Sequence, residues 1–251
     1  MLAAAPPAAL GAIGFCAGAL VCSFLAVVLI RWPSGRSPLQ GRSSCDGCGA
    51  QLRLLELVPI LSFAALRGRC RRCGSAIDKR QPLLEFIGGL LGLVALLAHP
   101  GLGGFATALL GWWLLLLAAL DAQHHWLPDK LTLPLILAGL AVAGLGIGPG
   151  FEQRLIGAAV GFAALWAIGF GYRMLRGREG LGGGDPKLLA GLGAWLGWQQ
   201  LPLILVGAGL LGIASLLLAR SRGRTISATD RLPLGALMAV AAWPLWLAVA
   251  R

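Results

Sequence analysis

The chain is predicted to be an all-α, polytopic integral membrane protein of about eight transmembrane helices, interrupted by one large cysteine-bearing loop. Three observations predict this. Hydrophobic residues make up 57% of the 251-residue chain, charged residues only 12%, and the mean hydropathy is +0.80. That leaves too little polar surface to cover a soluble globule of this length. Apolar runs of spanning or near-spanning length recur along the chain. The basic residues also fall almost entirely in alternate connecting segments.

The runs lie at about 8 to 30, 83 to 98, 103 to 120, 131 to 148, 154 to 172, 187 to 199, 201 to 219 and 232 to 250. The first begins "MLAAAPPAALGAIGF", which has no Lys or Arg and runs on past a short signal core, so it is expected to stay in place as a helix. The sixth is short for a full crossing and joins the seventh through "WQQLP", so this pair could form a hairpin that does not cross completely. With the N-terminus outside, the inner segments are Arg31 to Arg80, Lys130, Arg173 to Lys187 and Arg220 to Arg231. They hold all of the 21 basic residues except Arg154 and Arg251. An N-out, C-out protein satisfies the positive-inside rule on that count. The net charge of +11 is then explained by loop bias and anionic lipid headgroups, and it calls for no nucleic-acid partner.

The organisation expected is a first transmembrane helix over 1–31, a cytoplasmic tetracysteine loop over 32–82, and a transmembrane domain over 83–251. Within the loop stands "CDGCGAQLRLLELVPILSFAALRGRCRRCG", two Cys-x-x-Cys pairs with 21 residues between them. Each pair lets two thiolates point at one ion, and Cys45, Cys48, Cys70 and Cys73 together complete the tetrahedral set that zinc prefers. Gly47, Gly49 and Gly74 suit the tight turns around the sulfurs. Two disulfides are the competing reading, but a cytoplasmic loop seldom keeps them, so a zinc-binding loop is expected. Four protein ligands leave no open position, which makes the metal structural. Cys16 and Cys22, in the first helix, read as small buried apolar side chains.

Ten acidic residues are present, and most have ordinary explanations in polar segments or at helix ends. Three deserve separate argument. In "LLLLAALDAQHHWLPDKLTLPL", Asp121 extends a helix of leucines and alanines and sits at the negative end of its dipole, where an ionised carboxylate is disfavoured. Asp129 opens the next helix after Pro128, where a carboxylate favours the helix N-terminus. In "GLGGGDPKLLA", Asp185 lies at the inner membrane boundary behind Gly182, Gly183 and Gly184, which permit close backbone approach or positive φ. Two carboxylates brought together from separate helix ends can share one proton, one acting as base toward water and the other as acid toward a carbonyl. Two independent loop aspartates explain the same residues on physics alone. His124 and His125, adjacent and divergent, read as a wet loop. Lys187 reads as an inner-face anchor able to reach headgroups or tune the acid.

Taken together, "GALVCSFLAVVLIRWP", "RSSCDGCGAQL", "LVPILSFAALRGRCRRCG", "RQPLLEF", "DAQHHWLPDKLTLP" and "GGGDPKLLAGLGAWLGW" resemble the bacterial type IV prepilin peptidases of pilus and type II secretion systems. The resemblance covers nearly the whole chain. It implies an inner-membrane aspartic endopeptidase, active at the cytoplasmic face, that removes the short basic leader of prepilins or pseudopilins. Its catalytic aspartates fall on Asp121 and Asp185, with Gly182 and Gly184 in the Gly-x-Gly-Asp form. Members with the cysteine loop also methylate the new N-terminal amine with S-adenosylmethionine, which makes 32–82 the methylation half and 83–251 the aspartic peptidase domain. Two positions depart from the pattern: Ala26 replaces the family's frequent Asn, and "RLLEL" replaces a tryptophan-bearing stretch. The alternatives are a peptidase without methylation, a non-enzymatic membrane assembly factor with a zinc-stapled loop, and a proton-relay transporter. Against the transporter, both aspartates map to one membrane face.

Overall fold

The computed structural model describes residues 6–38, 43–178, 180–223 and 232–250. Of the basic residues counted above, Arg42, Arg224, Arg231 and Arg251 therefore lie outside the described residues, as do the acidic Glu179 and Asp230. Among the described residues the regular structure is helical, with only two isolated bridges, Ser44 to Gln51 and Arg69 to Ala76. The helices are α1 (Pro7–Arg31), α2 (Leu61–Ala65), α3 (Arg80–Ala98), α4 (Leu102–His124), α5 (Asp129–Ala143), α6 (Phe151–Arg176), α7 (Asp185–Leu196), α8 (Leu201–Ser221) and α9 (Leu234–Val249). Every apolar run of the sequence forms a helix. Five helical segments are long and apolar enough to cross a membrane: Pro7–Ser34, Arg80–Ala98, Leu102–His124, Phe151–Arg176 and Trp198–Ser221.

The chain divides into two compact units, Met1–Trp112 and Trp113–Arg251, with the boundary inside α4. In the first unit α1 packs along α3 through glycines spaced four apart. A Cβ on Gly14 or Gly18 would collide with the backbone carbonyl of Gly92 or Gly88. Association inside a bilayer gains little from the hydrophobic effect, so small residues that admit close backbone packing hold such helices together. Trp112 adds an Nε1–H···O bond of 2.9 Å to Gly88. Cys22 is buried, as expected, and occupies the space beside Gly88, whereas Cys16 is exposed on the opposite side of the helix. The expectation for Cys16 was therefore wrong: six residues are 1.7 turns, which points the two thiols away from each other.

In the second unit α7 is the inner element. All of its residues except Lys187 are buried, and α5, α6, α8 and α9 surround it. At 12 residues it is about 18 Å long, against a hydrocarbon thickness of about 30 Å. Such a segment is tolerated at membrane depth because protein, not lipid, encloses it. Backbone contact between Gly157 and Gly193 sets α6 against α7, and Trp195 Nε1 donates to the Leu135 carbonyl of α5 at 3.0 Å.

Arg154 is also an inner residue. It is fully enclosed, and it donates to the carbonyls of Pro149 (2.8 Å), Gly139 (2.6 Å) and Ile147. Its guanidinium also lies over the Trp246 ring, 5.5 Å from the centroid. The planar five-donor fork suits carbonyls left without partners near the C-terminal end of α5. The sequence had read Arg154 as an outer-loop charge, but burial changes its role from topology signal to internal brace.

Candidate active site

Asp121 lies in the last turn of α4, and the chain then turns through His125, which adopts φ 48°, and Leu127 and Pro128 into α5. The turn brings Asp121 under the start of α9. Its Oδ2 accepts the Ala236 backbone N–H at 2.8 Å. Ala236 is the third residue of α9, one of the four N–H groups a helix start leaves unpaired, and such an N-terminus favours an anion. Thus the unfavourable dipole of Asp121's own helix is opposed by the favourable end of another. Gly235 makes the approach possible, because a Cβ there would stand 3.0 Å from Asp121 Oδ2 and 2.7 Å from the Leu127 side chain.

Asp185 is the first residue of α7, followed by Pro186 in the position where a missing N–H is harmless. Its Oδ2 accepts the Gly182 N–H at 3.0 Å. Of the three glycines, Gly184 is required for close approach, since a Cβ would lie 2.6 Å from the Leu127 Cβ. None of Gly182, Gly183 and Gly184 has positive φ. Leu127 is therefore wedged between Gly235, beside Asp121, and Gly184, beside Asp185. Both aspartates are almost buried, at 6% and 7% exposed.

Lys187 and Asp129 pair with each other, Nζ to Oδ1 at 2.6 Å, joining the starts of α7 and α5 near the surface. Asp129 stands in the first turn of α5, where its carboxylate favours the helix N-terminus as expected, and the ion pair adds a second part that the sequence did not show. His124 and His125 are exposed, as a wet loop requires. Gly235 and Ala236 escaped the sequence reading. Their signal is the run "LPLGALM", a proline followed by small residues at a helix start.

The four loop cysteines come together in the first unit, with ligand sulfurs all within 4.8 Å of one another. Two matching knuckles present them. In one, Cys45 N–H bonds Ala50 O and Gly49 N–H bonds Cys45 O, at 2.9 and 2.8 Å. In the other, Cys70 N–H bonds Ser75 O and Gly74 N–H bonds Cys70 O, at 2.8 and 3.0 Å. Gly49 and Gly74 take φ of 68° and 71°, which closes each turn. Gly47 has another reason: a Cβ there would press on Ser75. Cys45 and Cys73 sulfurs stand 3.8 Å apart. Tetrahedral zinc with Zn–S bonds of about 2.3 Å separates its sulfurs by about 3.8 Å, so the donor set fits a tetrahedral ion.

The Ser75 hydroxyl, which the sequence did not single out, bonds both Cys45 (3.4 Å) and Cys73 (3.0 Å). That bond, with the N–H groups of Cys48 and Gly47, brings the Cys45 thiol down to about 6, and Ser75 likewise lowers Cys73. The Ala50 N–H favours the Cys48 thiolate, but the neighbouring Cys73 and Cys45 push that thiol up to about 11. Four clustered thiols cannot all ionise unaided, and a divalent cation removes that conflict.

Comparison with known proteins adds two family matches. Residues 108–217 match the type IV leader peptidase family, and residues 16–99 match the bacterial peptidase A24 N-terminal domain. A protein of Burkholderia pseudomallei named prepilin leader peptidase/N-methyltransferase is 47% identical over 200 residues, which are 79% of this chain and 64% of that relative. Proteins of the same name from Aeromonas hydrophila and Pseudomonas aeruginosa are each 41% identical, over 80% of this chain and 70% and 69% of theirs. The chain thus spans slightly under two thirds of the Burkholderia relative's length. No solved structure matches.

Proposed function

The chain belongs to the type IV leader peptidase family, and on that premise we propose that it is a bifunctional bacterial inner-membrane enzyme. It removes the leader of type IV prepilins or pseudopilins by aspartic acid protease chemistry, and it N-methylates the new N-terminal residue using S-adenosylmethionine. The observation that carries the peptidase half is that two almost buried aspartates, Asp121 and Asp185, come from separate helix ends and each adjoins a glycine packed against Leu127. Asp121 accepts the Ala236 N–H and Asp185 the Gly182 N–H, each on Oδ2, and these bonds orient the two carboxyl groups for the reaction.

The pair acts as a unit sharing one proton. The ionised member takes a proton from water as the oxygen attacks the scissile carbonyl, while the protonated member donates to the carbonyl oxygen. Collapse of the tetrahedral intermediate then returns a proton to the leaving amine. Gly182 holds Asp185 through its N–H, Gly184 keeps the loop against Leu127, and the Lys187–Asp129 pair ties the two helix starts that flank the site. Segment 32–82 forms the methylation half, with Cys45, Cys48, Cys70 and Cys73 holding structural zinc, and 83–251 the peptidase domain. The eight apolar helices make the crossings, with both termini periplasmic and the aspartates at the cytoplasmic face.

The test is mass spectrometry of a prepilin incubated with the full chain in lipid nanodiscs, with and without S-adenosylmethionine. Asp121→Asn and Asp185→Asn should each abolish leader removal, and the double variant should be scarcely worse, since groups acting as a unit are non-additive. Either folded single variant cleaving near the parent rate would exclude the pair.

A further inference from the structure

The cysteine loop, the end of α1 and the start of α3 line a cavity of about 230 Å³ lying wholly within the first unit. Its apolar walls include Phe63, Leu66 and Ile77, and Cys45 and Cys70 of the sulfur cluster form part of one side. We propose that this cavity binds the sulfonium end of the methyl donor, with the carboxylate of Glu85 as its counter-charge. The inference rests on the methyltransferase half of the proposed function, and it supplies the binding site that the sequence does not name.

The argument begins with charge. Four carboxylates line the cavity, and two of them are ion-paired. Asp46 pairs with Arg36 at 2.9 Å and Asp78 with Arg80 at 2.5 Å. Glu56 accepts only the Arg53 backbone N–H, at 2.7 Å, but it is half-buried and within reach of water. Glu85 differs from all three in being buried. It is 3% exposed, it accepts the Ile60 N–H at 2.7 Å and a long 3.5 Å contact from Gln81, and among the described residues no basic side chain lies within ion-pair distance. A buried carboxylate without a cation is unfavourable, and a cationic ligand resolves it.

The walls select the kind of cation. A peptide ammonium carries three N–H donors and is strongly hydrated, so it would need several acceptors. A sulfonium has no N–H donors and distributes its charge over attached carbons, which suits one carboxylate and an aromatic face. At about 230 Å³ the cavity is smaller than pockets that hold a whole ligand, which start at about 300 Å³. It would therefore enclose the sulfonium and the chains next to it, and leave the rest of the donor at the exposed mouth beside Asp46 and Arg71. With the methyl of the bound sulfonium turned toward that mouth, the amine lone pair would take the methyl carbon as the carbon–sulfur bond breaks with its electron pair on sulfur, and the new ammonium would lose a proton to solvent.

The test is calorimetric titration of the full chain in nanodiscs with S-adenosylmethionine and with S-adenosylhomocysteine, its uncharged thioether. The parent should bind the sulfonium more tightly. Glu85→Gln should weaken sulfonium binding about tenfold or more and thioether binding less than about threefold, so that the preference is lost. Ser62→Trp, which fills the cavity, should weaken both. Unaltered affinities in both variants would overturn the location while leaving the methyltransferase assignment intact. A parent that binds no donor and methylates no pre-cleaved pilin would overturn both. Ultraviolet cross-linking of radiolabelled S-adenosylmethionine to the parent needs no variant: label within 43–85 supports the cavity, and label confined to 113–250 refutes it.

Discussion

Two neighbouring glycines should respond oppositely to one methyl group. At Gly184 a Cβ would stand 2.6 Å from the Leu127 Cβ and 3.0 Å from its carbonyl oxygen. Carbon atoms in contact prefer about 3.5–4.0 Å, so the two backbones must part by about 1 Å. Leu127 cannot yield freely, because Gly235 is also packed against its side chain. Overpacking of this kind costs about 1–3 kcal/mol of stability. Because the displaced residue adjoins Asp185, a misplacement of about 1 Å should also lower turnover by about 100-fold. Gly183 has nothing within 4 Å of its Cβ position and no positive φ. There alanine should change stability by less than about 0.5 kcal/mol, or raise it slightly by stiffening the unfolded chain. Prepilin cleavage rates and thermal unfolding in detergent, measured on Gly183→Ala and Gly184→Ala side by side, check this. Equal damage from both, or full activity in Gly184→Ala, would refute the Leu127 wedge.

Arg154→Met should destabilise the protein by about 3 kcal/mol or more, since it strips three inner carbonyls of their donor, and thermal unfolding in detergent will read the loss. Asp129→Asn removes a partly exposed ion pair, so it should cost at most about 1 kcal/mol and leave most prepilin cleavage intact in the same assay. Purified protein should carry one zinc per chain by elemental analysis, and Cys70→Ser should lower that occupancy and loosen the loop to proteolysis.

The helices were legible because membrane helices are written in long apolar runs, and the eight runs all reappear as helices. The sulfur cluster was legible for a similar reason: Cys-x-x-Cys fixes local geometry, and two such pairs have few other uses. What the sequence concealed is tertiary. The N–H that meets Asp121 comes from Ala236, 115 residues away, and no local pattern links them. Arg154 has the look of a loop charge until α5 and α9 close over it. The ion pair of Asp129 with Lys187 likewise depends on two helix starts 58 residues apart meeting in space. Ser75 was partly legible, since it occupies in the second knuckle the place Ala50 holds in the first.

The two knuckles have a kinetic consequence. Each is closed by its own pair of backbone hydrogen bonds and its own glycine, without help from the other. Departure of the ion would therefore leave two small preformed claws, each still offering two sulfurs. Recapture would require joining two ready halves rather than threading a loop from a random coil, and the entropy of that closure grows only slowly with the length of chain between them. Metal exchange at this site should behave as docking, with the ion held first by one half and then by both.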